Sequence, residues 1–154
     1  MICLGYLDKN EKVLNTLKNT KLKDIGRCAN MLWLIFEKNG DQYAVHVQCS
    51  WRIADVLSIL LADGDIYYSI SEDVEWNVQG NSIFDIISAK IKNQDLYVAE
   101  CSLKGISDLC ICFQNGWSFY AFYNNSIEEE QWRIFLKDSP KEHMVARGTK
   151  IVFE

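Results

Sequence analysis

The chain is short of several residue types, and each shortage closes a route. It has one proline and eight glycines in 154 residues, too few for a Pro/Gly-rich linker or a collagen-like stretch. Histidine occurs only as His46 and His143. Basic side chains are outnumbered: Lys plus Arg is 16 against 21 for Asp plus Glu, a formal charge of −5. General binding to nucleic acid or to an anionic membrane needs a basic surface, so neither is expected. The longest apolar run, Met31 to Phe36, is far shorter than a membrane span. Asp8, Lys9 and Glu11 follow closely on Met1 and leave no apolar core for a signal peptide, so a cytoplasmic location is expected. The G-x-S-x-G, H-E-x-x-H and P-loop patterns are missing, and the corresponding hydrolase and nucleotide chemistries have no support in the sequence.

What is present reads as an ordinary folded protein. Hydrophobic residues make up 49% and charged residues 24%, and the length suits one domain over residues 1–154. The six cysteines are Cys3, Cys28, Cys49, Cys101, Cys110 and Cys112. Cys28, Cys49, Cys110 and Cys112 sit in apolar, strand-like segments and are expected as reduced core thiols. Cys110 and Cys112 form a C-x-C pair without a second Cys/His pair beside it, so neither a zinc site nor any other cofactor is expected.

Periodicity places the elements. Asp8 and Glu11 have capping-box spacing, and Val13, Leu14 and Leu17 share a face, which predicts a helix from Asp8 to about Asn19. Met31 to Glu37 is apolar on both faces and reads as a strand covered on both sides. Asn39-Gly40 marks a hairpin turn. From Tyr43 to Ile53 apolar and polar residues alternate, as in a strand with one buried face. Asp55 to Ala62 reads as a further strand, and residues 63–80 as a polar loop. Ser82 and Asp85 again have capping-box spacing, and Ile83, Phe84, Ile87 and Ile91 define one face of a second helix ending near Lys92. Strands are expected at 95–103, 107–114, 117–123 and 131–136, with a closing hairpin around Arg147-Gly148.

The halves resemble each other. Phe36, Asn39-Gly40, Tyr43 and Trp51-Arg52-Ile53 are echoed by Phe113, Asn115-Gly116, Phe119 and Trp132-Arg133-Ile134. This predicts an internal duplication, with halves of about 8–62 and 81–154, each a helix plus a β-meander. The expected fold class is α+β: mainly antiparallel β, as a bent sheet or sandwich-like roll, with two helices packed on it. Trp51 and Trp132 are expected as matched core anchors, with Arg52 and Arg133 on the opposite face.

Candidate functional residues follow from charge and aromatics. Asp63, Asp65, Glu72, Asp73 and Glu75 are mixed with Tyr67, Tyr68 and Trp76, and Glu128, Glu129 and Glu130 form a second acidic cluster. Carboxylates speed encounter with a basic protein and aromatics anchor it, so these residues are the candidate partner-binding set. His46 with a cysteine or carboxylate is the alternative, as a small hydrolase or transferase site. A structural or regulatory module with a permanent partner, or a homodimer, is a third reading.

The segments HVQCSWRI (His46 to Ile53), NSIFDIISAKI (Asn81 to Ile91) and EEEQWRIF (Glu128 to Phe135) carry a resemblance to small bacterial immunity proteins that accompany polymorphic toxins. That resemblance implies a non-enzymatic cytoplasmic protein that binds and blocks one cognate toxin; separately, the acidic charge suits stoichiometric occlusion of a basic toxin such as a nuclease domain. It transfers no catalytic residue.

Overall fold

The computed structural model describes residues 8–105 and 107–154. Cys3 lies outside them. The chain is α+β, with two helices and eleven strands in two antiparallel sheets among the described residues. Helix α1 spans Lys9–Thr16, followed by β1 Lys21–Cys28, β2 Met31–Lys38, β3 Asp41–Val47, β4 Ser50–Ala54 and β5 Ile59–Ala62. A short 3-10 turn, Asp63–Tyr67, and a long loop lead to α2 Ile83–Lys92. Then come β6 Val98–Lys104, β7 Asp108–Phe113, β8 Ser118–Phe122, β9 Glu130–Leu136, β10 Met144–Arg147 and β11 Lys150–Phe153.

The capping signals act as read. The Asp8 carboxylate accepts from the Glu11 amide at 2.8 Å, and Ser82 and Asp85 complete a reciprocal box at the start of α2. Asn39 and Gly40 take φ of 54° and 85° between the paired residues Lys38 and Asp41, as a two-residue hairpin turn requires.

Strand order is β1-β2-β3-β9-β10-β11 in one sheet and β5-β4-β8-β7-β6 in the other. Each sheet takes a three-strand meander from one part of the chain and is completed by strands from the other. The two Trp-Arg-Ile segments occupy matching places in this scheme. Trp132 lies opposite Val47 at the β3–β9 junction, and Trp51 opposite Ala121 at the β4–β8 junction. Both indoles are buried, Trp132 at 0% and Trp51 at 1% exposure. Pairing shifts one expected correspondence. Val45 faces Leu34 and Ile134, as Phe119 faces Ile111 and Ile53, so Tyr43 matches Trp117 rather than Phe119. The cause is the longer first hairpin, whose arms pair out to Lys38 and Asp41.

Several expectations are corrected. The single alternating run from Tyr43 to Ile53 is two strands, because the chain passes from one sheet to the other at Gln48 and Cys49. The alternation survives the crossing since Val45, Val47, Cys49, Trp51 and Ile53 all enter one core. Strand β1 had no strong apolar pattern. Its inward residues Leu22 and Ile25 are separated by a bulge that breaks the period of two. The outward side of β2 (Met31, Trp33, Ile35) is only half-buried, so that strand is not covered on both faces. Asp55 to Ser58 is a turn, with the Asp55 carboxylate accepting from the Leu57 and Ser58 amides at 2.7 Å. Val56 and Leu57 stand 86% and 95% exposed at its tip. In α2, Ile83 faces outward, while Phe84, Ser88 and Ile91 are buried. Cys28 is exposed and Cys110 and Cys112 are half-buried, whereas Cys49 and Cys101 are buried. An outward position on a sheet, not local hydrophobicity, sets this difference.

The inner faces of both sheets supply one continuous core. Phe84 from α2 meets Trp51 edge-on, at 5.9 Å between ring centroids. The sheets are stitched where β1 and β6 begin: the Asn19 amide donates to the Val98 carbonyl and the Leu22 amide to that of Leu96, each at 2.8 Å. The indole Nε1 of Trp132 donates to the Ser107 carbonyl at 2.9 Å.

Candidate functional site

The loop between the 3-10 turn and α2 is polar and long, yet it is held firmly. Its clasp is Arg27 on β1, whose side chain is fully buried beside Asp85 of α2, itself 12% exposed. The guanidinium donates to both Asp85 oxygens at 2.9 Å. It also donates to the carbonyls of Trp76 (2.7 Å), Val78 (3.2 Å) and Ala29 (3.0 Å). Asp85 further accepts from the Gly80 and Ser82 amides. Burial by itself raises the Asp85 pKa, but the Arg27 hydrogen bonds and the amides outweigh it, and the carboxyl sits below its ordinary value. Asn81 adds a second clasp: its side chain donates to the Val74 carbonyl at 2.6 Å and accepts from the Ser71 amide at 3.1 Å.

This frame displays a mixed surface. Tyr67 packs edge-on against Trp76 at 4.8 Å, and the Tyr67 hydroxyl accepts from the Asn30 side chain at 3.1 Å. The Ile83 amide donates to the Tyr68 carbonyl and the Ile70 amide to that of Asn81. Tyr68, Ile70, Ile83 and Ile86, all exposed, are thereby drawn to the start of α2. Glu72, Asp73 and Glu75 are exposed on the same loop. From Ile53 to Ala89 the sequence contains no Lys, Arg or His, so no cation from this stretch neutralises those carboxylates.

The remaining residues of the sequence-derived set divide. Asp63 is half-exposed. The Asp65 carboxylate turns inward and accepts from the Ala62 amide at 2.8 Å, so it caps the 3-10 turn. Glu128 and Glu129 are exposed before β9. Glu130 is engaged by Arg133 and by the Gln48 side chain, and its pKa is lowered chiefly by the Arg133 hydrogen bond. Of the second cluster, Glu130 therefore lies on the six-stranded sheet beside Arg133 and Arg147. Arg27, Asn81, Ile70 and Ile86 were missed by sequence reasoning, and Asp85 was noted only as a cap. One available signal was the arginine in an otherwise weak strand pattern.

His46 and His143 flank Phe135 on the outward side of the six-stranded sheet. His46 meets the ring edge-on at 5.0 Å and His143 stacks on it at 4.2 Å. Both pKa values are lowered, first by burial and then by the Arg133 charge. Cys49 points instead into the core, and burial pushes its thiol up to about 12. For the alternative reading, Cys49 thus lies on the other side of the sheet from His46, and the carboxylate whose charge reaches His46 is Glu130, itself engaged by Arg133. Among the described residues, no group of three or more His, Cys, Asp or Glu is placed to hold a metal ion. No family model, curated protein or solved structure matches this chain.

Proposed function

We propose that this chain is a non-enzymatic binding protein that captures a basic partner protein on the loop and helix face around Tyr68, Ile70, Ile83 and Ile86. The partner we infer is a cognate bacterial toxin, neutralised by one-to-one occlusion in the cytoplasm. One observation carries the reading: exposed aromatic and aliphatic side chains stand among carboxylates that form no salt bridge among the described residues, on a loop already fixed by buried hydrogen bonds. An apolar centre supplies affinity, the carboxylates supply steering, and the fixed loop lowers the ordering cost of binding. The same charge disfavours self-association through this face, since two copies would bring like charges together.

The test is co-expression with the C-terminal domain of the product of the adjacent upstream gene. A one-to-one complex that protects cells is the expected result, with Glu72→Lys, Asp73→Lys and Glu75→Lys slowing association and flattening its salt dependence. Lack of both complex and protection would overturn the toxin reading. Tight, salt-independent binding after neutralising Glu72, Asp73 and Glu75 would overturn the surface assignment.

A further inference from the structure

Strand β7 carries Cys110 and Cys112 on its outward side, flanking the buried Ile111. Their sulfurs lie 3.8 Å apart, and both side chains are partly open to solvent. Strand register sets Ser102 and Tyr120 beside Cys110, and Glu100 and Ser118 beside Cys112. We propose that this pair is a two-thiolate site for a soft, thiophilic cation, with cuprous copper the best-matched ion.

Geometry decides between the two uses of such a pair. A disulfide requires the sulfurs at about 2.05 Å, close to half their present separation. Two residues of extended strand span about 6.6 Å between Cα atoms, at the top of the roughly 4.4–6.8 Å that disulfides tolerate. A bridging ion asks for less movement. With metal–sulfur bonds of about 2.3 Å, sulfurs 3.8 Å apart subtend about 110° at the metal. That is the angle between two donors of a trigonal or tetrahedral site. Zinc wants four donors for a tight site, and these two sulfurs leave half of them to be supplied from solvent. A soft monovalent ion is content with two sulfurs and a small exogenous donor.

Loading releases both thiol protons: two RSH, Cu⁺ and one neutral exogenous donor L give Cu(SR)₂L⁻ plus two H⁺. Because both protons must leave, uptake strengthens as pH rises. The Lys104 charge favours the anionic product and the Glu100 charge opposes it.

The test is an anaerobic titration of the full chain with cuprous ion against bicinchoninate as competing chelator. Wild type is expected to withdraw one equivalent. Cys110→Ser and Cys112→Ser should each lose about 100-fold or more in affinity, the chelate advantage of a second donor held close by. Cys28→Ser, which removes an exposed thiol, should leave it unchanged. Phenylarsine oxide gives an independent readout. It joins two thiols to one arsenic with loss of one water, and wild type should lose two titratable thiols per arsenic while neither serine variant does. Near-UV circular dichroism of the serine variants checks that the fold is kept. Undiminished copper uptake by Cys110→Ser, or no withdrawal by wild type, would overturn the site.

Discussion

Replacing Asp85 by alanine tests whether the Arg27 clasp orders the candidate binding loop. The substitution leaves a guanidinium that is fully buried with only the carbonyls of Ala29, Trp76 and Val78 as partners. Breaking a buried pair from one side costs about 3–5 kcal/mol, because the surviving charge is uncompensated. The same carboxylate caps α2 through the Ser82 amide, and a lost cap contributes about 1 kcal/mol of that total. For a chain of this size, each kcal/mol lowers Tm by about 2–4 °C, so Asp85→Ala should melt about 6–20 °C below wild type. Asp85→Asn keeps the shape and one acceptor oxygen and should fall between the two. The double variant Arg27→Met with Asp85→Leu removes the buried charge altogether and should recover part of the loss. Recovery stays incomplete because the Trp76 and Val78 carbonyls lose their donor, and limited proteolysis should then cut within residues 68–80. The pH dependence has a definite sign. The folded pKa of Asp85 is depressed, so its contribution is complete above the unfolded carboxylate value and is lost as pH falls through the folded one. The stability gap between wild type and Asp85→Asn should therefore narrow below about pH 4. Thermal unfolding with urea titration as a check measures all of this. A loss under 1 kcal/mol in Asp85→Ala with proteolysis unchanged would refute the clasp.

Further outcomes are expected elsewhere in the molecule. A Cβ on Gly26 would stand 2.2 Å from Trp33 Cζ2, so Gly26→Ala must displace the indole. It should cost about 1–3 kcal/mol in urea unfolding and shift the tryptophan emission. Trp132→Phe removes the donor to the Ser107 carbonyl and leaves space in the core, with an expected loss of about 2–4 kcal/mol by the same measurement. Because His46 and His143 have lowered pKa values, the unfolded chain binds protons first. Stability should fall as pH drops below the ordinary histidine value of about 6.5, and the double variant His46→Gln with His143→Gln should flatten that slope. A slope unchanged by the double substitution would place the titrating groups elsewhere.

Local patterns in the sequence specify local structure well. Both helices are announced by their caps, since an N-cap side chain needs only backbone amides a few residues on. The Asn39-Gly40 hairpin follows from the φ values those residues accept. Alternation named most of the buried set, including Trp51 and Trp132, because burial on a strand has a period of two. The acidic and aromatic composition of residues 63–76 was likewise visible in the chain itself. Tertiary structure decided the rest. A strand that crosses between sheets keeps its alternation, so nothing in residues 42–53 announces the break at Gln48 and Cys49. Exchange of strands between the two parts of the chain depends on pairings between segments far apart in sequence, such as β3 with β9 and β4 with β8. The Arg27–Asp85 pair joins residues separated by 58 positions, and no local propensity encodes it. That pair makes a polar loop, unremarkable as sequence, into a fixed surface, because only the folded chain surrounds the guanidinium with acceptors and removes it from water.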